Sequence, residues 1–242
     1  VSLDPTPHGT RIELPGTYNF RPVAPGLIRE ARLYRSDSLH RLAPAGRRAL
    51  AELDVRLVID LRSDFDRRFG GRDRLRGVGA EYRAIPIHGA GRGTDPSTLT
   101  IRSVYRSILE NHRAQLGETI RAVADADGAV VVHCTAGKDR TGLVVALILR
   151  ALDVEPERVV ADYALSEGNL AGEWSEAMLR RVARYRPTIG DELRELLTGS
   201  PAPALLDTFA WIDAEHGSVQ GYLETAGVDA GVVDRLHRRL DR

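Results

Sequence analysis

The chain has 242 residues, 43% apolar and 28% charged, with 34 basic and 34 acidic side chains and a formal net charge of 0. This is an ordinary globular composition, long enough for one sizeable core or two small ones, and it lacks the basic excess of a general nucleic-acid binder. A single cysteine excludes an internal disulfide framework and a four-cysteine zinc site.

In chain order, the opening VSLDPTPHGT has no basic-then-apolar signal pattern. The longest apolar run, Leu143 to Leu149, falls far short of the roughly 18 residues a membrane span needs. The expectation is a cytoplasmic protein without a transmembrane segment, with export left open. Arg32 to Arg35 predicts a short strand. Pro44 to Leu53 predicts a helix, with proline in its first turn. Val55 to Leu61 predicts a strong buried strand, and Tyr82 to Ile87 another, with Pro86 suiting an edge or exit position. A glycine-rich loop, HGAGRGTDPS, follows. Residues 97 to 126 predict one or two helices, on apolar Ile101, Val104, Ile108, Leu109, Leu116 and Ile120. Ala129 to His133 is a β-branched run and predicts a buried strand. Thr141 to Leu152, apolar on nearly all sides, predicts a buried helix. Helix is expected from there to Arg242, punctuated by Pro187, Pro201 and Pro203.

Strands joined by helical crossovers imply an α/β fold with a central, mostly parallel sheet flanked by helices. The helical part from about residue 153 is expected to pack on that sheet or to cap it as a lid. No linker divides the chain, so residues 1–242 are expected to form a single domain.

The chemistry concentrates in VVVHCTAGKDRTGLVVALIL, Val130 to Leu149. It contains the only cysteine, Cys134, and the only lysine, Lys138, in a chain whose other 33 long basic side chains are arginine. A strand ends at His133, and a loop containing Gly137 leads into a helix. In parallel α/β sheets ligands bind at the carboxyl ends of strands. A helix N-terminus behind such a loop offers unpaired N–H groups to an anion. A cysteine at the head of the loop is held as the reactive thiolate by the same groups. Arg140, six positions on, can grip two phosphate oxygens. Nucleophile, donor cradle and bidentate cation together imply phosphoryl transfer to sulfur followed by hydrolysis, with no metal and no cofactor required. Thr141 follows directly, and its hydroxyl can assist the sulfur as leaving group. A lysine where arginine is the rule implies that a compact ammonium suits the site better than a planar fork.

His133-Cys134-x5-Arg140-Thr141-Gly142 resembles the signature loop of the cysteine-dependent tyrosine and dual-specificity phosphatases. The Ala136-Gly137-Lys138-Asp139 core is similar to the atypical bacterial tyrosine phosphatases with lipid-phosphatase character. TYNFRPVAPG, LYRSDSLHRL, VRLVIDLRS and GSVQGYLETAGV extend the likeness from about residue 12 to the end. The resemblance implies a phosphatase-type fold, with Cys134 as nucleophile, Arg140 as phosphate clamp and the backbone from Thr135 to Arg140 as cradle. Lys138 would add charge toward a second phosphate or an acidic head group, and Asp139 would serve as acid and base or hold Lys138. The chain departs from the pattern at Pro22, where relatives commonly carry aspartate after Asn-x-Arg.

The general acid stays open among Asp139, His88 and Asp95, with Asp139 favoured for its fixed position. His133 is expected to support the loop. Asp60 and Arg62, at the end of the central strand, either brace it or are solvated charges. The arginine run from Arg67 to Arg76 reads as a solvated surface that can also attract an acidic substrate or an anionic membrane. The expected substrate is a phosphorylated protein, phosphotyrosine first and phosphoserine or phosphothreonine next, or a phosphoinositide. The alternatives are an inositol-polyphosphate phosphatase and a silent phosphate-binding module. No nucleic-acid partner is expected, and oligomeric state is not readable.

Overall fold

The computed structural model describes residues 11–89, 99–186 and 188–242. Its sheet contains β1 (Arg21–Pro22), β2 (Leu33–Ser36), β3 (Val55–Asp60), β4 (Glu81–Ala84) and β5 (Ala129–His133), in the order β1-β2-β5-β3-β4. Only β1 runs antiparallel, and β5 lies at the centre between parallel β2 and β3. A central parallel strand is covered on both faces, which is why β5 reads Ala-Val-Val-Val-His without polar alternation and is buried throughout.

The pleat sends alternate side chains into two apolar cores. Val131 and Ala129 join Tyr34, Val55 and Val58 beneath α1 (Pro44–Glu52). Val130 and Val132 join Leu33, Leu57 and Ile59 in the larger core. That core is filled by α3 (Ile101–Asn111), α4 (Arg113–Asp125), α5 (Asp139–Ala151), α6 (Pro156–Leu170), α9 (Ala202–His216), α10 (Val219–Thr225) and α11 (Ala230–Leu240). The expected α/β architecture is the observed one. The carboxyl-terminal helices share the sheet's core through Leu205, Ile212, Leu223 and Leu236.

Two expectations need correction. The strand foreseen over Tyr82 to Ile87 is the shorter β4, an edge strand whose residues are largely exposed. Burial begins only at Ile85 and Ile87, which continue bonding to Asp60 and Leu61 after the strand ends. The stretch after β3 contains a helix that was not foreseen, α2 (Asp64–Gly70). Its signal is a capping box: the Ser63 side chain takes the Asp66 N–H while the Asp66 carboxylate takes the Ser63 N–H. The remaining helices are α7 (Glu173–Ala183) and α8 (Asp191–Thr198). No described helix is long and apolar enough to cross a membrane.

Candidate active site

The loop Cys134–Lys138 leaves the carboxyl end of β5 and enters α5, which begins at Asp139, two residues before the predicted Thr141. Its shape is imposed from outside. Ser38 N–H donates to the Thr135 carbonyl at 3.2 Å. Asn19 Nδ2 donates to the carbonyls of Ala136 at 2.9 Å and Gly137 at 3.2 Å. Arg35 donates to the Gly137 carbonyl at 2.9 Å. In a trans peptide the N–H points opposite the C=O. Tying three successive carbonyls outward therefore turns the N–H groups of Ala136, Gly137 and Lys138 inward, and this is the anion cradle. Gly137 is obligatory here: its φ is +67°, and a Cβ would lie 2.1 Å from the Ser36 carbonyl oxygen. Gly142 is needed for close packing, because a Cβ there would meet the Tyr163 ring at 3.0 Å.

Cys134 is 2% exposed. Burial alone would raise its thiol pKa, but Arg140 and the hydroxyl and N–H of Thr141 outweigh burial and lower it, favouring thiolate. The Thr141 hydroxyl is buried with no other partner among the described residues, so it is available to the sulfur.

Arg140 is held by three acceptors. Nη1 donates to Asp66 at 2.6 Å and to the Ile87 carbonyl at 3.2 Å, and Nη2 to Thr135 Oγ1 at 3.2 Å. Burial would raise the Asp66 pKa, but Arg140 and Ser63 hold it below the usual range. Asp66 escaped the sequence reading, although the capping pattern Ser-x-x-Asp was there to find.

Lys138 is fully buried. Its ammonium donates to Asp139 Oδ1 at 2.6 Å and to the Leu196 carbonyl of α8 at 3.0 Å, rather than standing free in the loop. Asp139 Oδ1 also accepts from Tyr105 at 2.9 Å, and Tyr105 meets the Tyr163 hydroxyl at 2.6 Å. Asp139 Oδ2 has no hydrogen-bond donor among the described residues. His88 is exposed at the rim, one residue beyond Ile87, with its N–H on His112 Nε2 at 3.2 Å. Asp95 lies outside the described residues.

Asp60 and Arg62 are buried, not solvated. Arg62 Nε and Nη2 form two 2.9 Å bonds to the Asp60 carboxylate, and Nη2 reaches Asp73 at 2.8 Å. His133 Nε2 lies 2.9 Å from Asp73, an ion pair rather than an aligned hydrogen bond. Burial opposes charge on His133, but Asp73 and Asp60 prevail and raise its pKa to about 9. His133 and Arg62 likewise hold Asp60 at about 2 against its burial. Asp60, Asp73 and His133 are close enough to ligate a metal. However, Arg62 already occupies both carboxylates, so the donor set does not suit a cation. The cluster meets His133, the last residue of β5, which directly precedes Cys134.

A second buried cluster flanks the other side. Arg35 pairs with Asp162 of α6 at 2.6 Å, and Arg21 donates to the Asp162 carbonyl and to Ser166 Oγ, both at 2.9 Å. Arg21 also donates to Asn19 Oδ1, orienting the amide that holds the loop. Asp37 Oδ1 accepts the N–H groups of Tyr18 and Asn19, each at 2.9 Å. Asn19, Asp37 and Asp162 were not foreseen as supports, because nothing local in the sequence marks such distant partners.

Residues 12–241 match the profile described as the tyrosine phosphatase family. The triple specificity protein phosphatase PtpB of Mycobacterium tuberculosis is 30% identical over 267 aligned positions, covering 93% of this chain and 96% of that protein. A tyrosine-protein phosphatase of Nostoc commune is 31% identical over 220 positions, covering 85% of this chain and 73% of its own length. Among solved structures, TpbA of P. aeruginosa is 21% identical, with 72% of this chain and 97% of that one covered at a TM-score of 0.34, too loose a likeness to add to the sequence matches.

Proposed function

The chain belongs to the tyrosine phosphatase family and is a phosphoric monoester hydrolase, and on that premise we propose how its residues divide the reaction. The single observation that carries the assignment is the lowered thiol of Cys134 at the head of a cradle of inward N–H groups, six residues before Arg140. The phosphate dianion binds with its oxygens on the N–H groups of Ala136 to Arg140 and on the Arg140 guanidinium, which Asp66 holds in place.

The Cys134 thiolate attacks phosphorus. The S–P bond forms as the bond to the leaving oxygen breaks, and that oxygen takes a proton. We assign the proton to Asp139, whose Oδ2 is free while Oδ1 is fixed by Lys138 and Tyr105. Water then attacks the phosphocysteine and gives a proton back to Asp139. The S–P bond breaks, and the thiolate leaves with the Thr141 hydroxyl to support it. Lys138 anchors Asp139 and latches α8 over the loop, so substrate entry requires the bond from Lys138 to the Leu196 carbonyl to open.

Phosphotyrosine is the first substrate class. Phosphoserine, phosphothreonine and phosphoinositides follow as further classes, in keeping with the description of PtpB as triple specificity. The test is phosphate release, without added metal, from phosphotyrosine peptide, phosphoserine peptide and phosphoinositide, with Cys134→Ser as the blank. Release that vanishes in the variant supports the thiol mechanism. Release that survives it, or no release from any substrate while phosphate still binds, overturns it. Asp139→Asn should cost more on alkyl than on aryl phosphates, because an alkoxide needs the proton more. If His88→Ala shows that leaving-group dependence instead, the acid is His88.

A further inference from the structure

We propose that α2 and the arginine-rich segment after it form a docking surface for an anionic lipid bilayer, seating the active site against the membrane. The inference goes beyond the phosphatase reading and does not need turnover to be true.

No residue of α2 is buried. Phe65 and Phe69, one helical turn apart, are 68% and 53% exposed, with ring centroids 4.4 Å from each other. The chain has only four phenylalanines, so half of them stand on this one short helix in water, while Phe20 and Phe209 are buried. The inward work of α2 falls to Asp66 and leaves the rings no structural task.

The charges around the rings are one-sided. Arg68, Arg72, Arg74 and Arg76 are exposed, and none forms an ion pair among the described residues. The acids of the same segment are already committed. Asp66 is on Arg140, Asp73 is buried on Arg62 and His133, and Asp64 pairs with Arg67. A chain of zero net charge thus places four exposed arginines, without ion pairs among the described residues, on and just after the helix that carries an aromatic pair. This patch adjoins the catalytic centre, since Phe65 is next in sequence to Asp66, whose carboxylate is 2.6 Å from Arg140.

Exposed apolar rings and exposed cations on one segment match the interface of an anionic bilayer, with rings at the acyl boundary and guanidiniums among the head groups. An acidic peptide would require a groove. Two clefts among the described residues lie elsewhere, one beside Arg11 and Arg41 and one between α3 and α9. With the patch on the membrane, a phosphorylated head group is presented to Arg140 without leaving the bilayer.

The test is co-sedimentation of the full chain with phosphatidylcholine vesicles, with and without phosphatidylserine. Binding is expected only with phosphatidylserine and should weaken as salt rises. Phe65→Ser with Phe69→Ser, and separately Arg72→Glu with Arg74→Glu, should each lower partitioning by about tenfold or more. Turnover of a small soluble aryl phosphate should stay unchanged in both variants, which also shows that they fold. Failure of the wild-type chain to bind anionic vesicles, or equal binding by the variants, overturns the proposal. So does a KM defect of the variants confined to an acidic phosphopeptide, which would assign the patch to a protein partner.

Discussion

Two buried ionic clusters flank the catalytic loop, and they differ in charge balance. The cluster of Asp60, Arg62, Asp73 and His133 has two acids and, with His133 protonated, two cations. The cluster of Arg21, Arg35 and Asp162 has two guanidiniums for one carboxylate. The balanced cluster pairs its charges mainly among its own members, with Arg62 reaching the Gly71 carbonyl at 3.0 Å and His133 Nδ1 the Cys134 carbonyl at 3.3 Å. The cation-rich one has donors left over and must find neutral acceptors, and the carbonyls of Gly137, Asp162 and Asn19 supply them. Surplus positive charge behind the loop is thus what draws a loop carbonyl outward and turns the following N–H toward the substrate.

The largest way to break this contrast is Arg35→Met. It leaves Asp162 buried without its ion-pair partner and takes from the Gly137 carbonyl the shorter of its two donors. Denaturant unfolding should show a loss of about 3–5 kcal/mol, with phosphate affinity falling in whatever fraction remains folded. Next is Asp73→Asn in the balanced cluster. His133 has a folded pKa of about 9 against an ordinary 6.5, so its stabilisation is complete below pH 6.5 and is lost as pH rises through 9. A shift of that size corresponds to about 3 kcal/mol at most. The variant should be less stable at pH 6 and should show a flatter decline toward pH 9, read from unfolding across pH. An unchanged slope would mean that Asp73 does not hold the imidazolium.

Asn19→Ala sharpens the comparison at lower cost. It removes the amide donor shared by the Ala136 and Gly137 carbonyls, and should lose about 1–2 kcal/mol of stability together with a several-fold rise in KM. A KM unchanged from wild type would show that Arg35 and Ser38 suffice to shape the cradle. The smallest effect should be a gain. Burial raises Asp37 to about 6 even though the Asn19 and Tyr18 N–H groups favour its anion. Its ionisation therefore opposes folding as pH rises from 3.8 through 6. Asp37→Asn keeps the acceptor for both N–H groups and should stabilise the protein by about 1 kcal/mol at pH 7, an advantage that disappears near pH 4.

The central strand and the motif were legible because their signals are local. Ala129 to His133 has the β-branched run of a doubly covered strand, and Cys134, Gly137 and Arg140 sit at fixed spacing between it and an apolar helix. The supports were not legible in the same way. Asn19 and Asp162 act on the loop across more than a hundred residues of chain and across 127 residues to Arg35, respectively. Asp60 and Arg62 stayed open between bracing the loop and being solvated, because a sequence shows charge without showing the partner that allows burial. The Lys138 ammonium belongs with these, since its carbonyl partner on Leu196 lies 58 residues away. The segment from Asp64 to Gly70 is a different case. Its capping pattern is local, but the run of arginines from Arg67 to Arg76 read as a solvated surface.

The burial of Lys138 also fixes what the chain looks like to reagents that seek amines. Every other long basic side chain is arginine, so there is no second ε-amino group anywhere in the sequence. Reductive methylation or lysine crosslinking of a side chain therefore has one destination, the catalytic loop, and on the latch proposed above it reaches Lys138 when α8 lifts away. Labelling resolved to Lys138 would thus read the proposed opening with no other lysine side chain contributing.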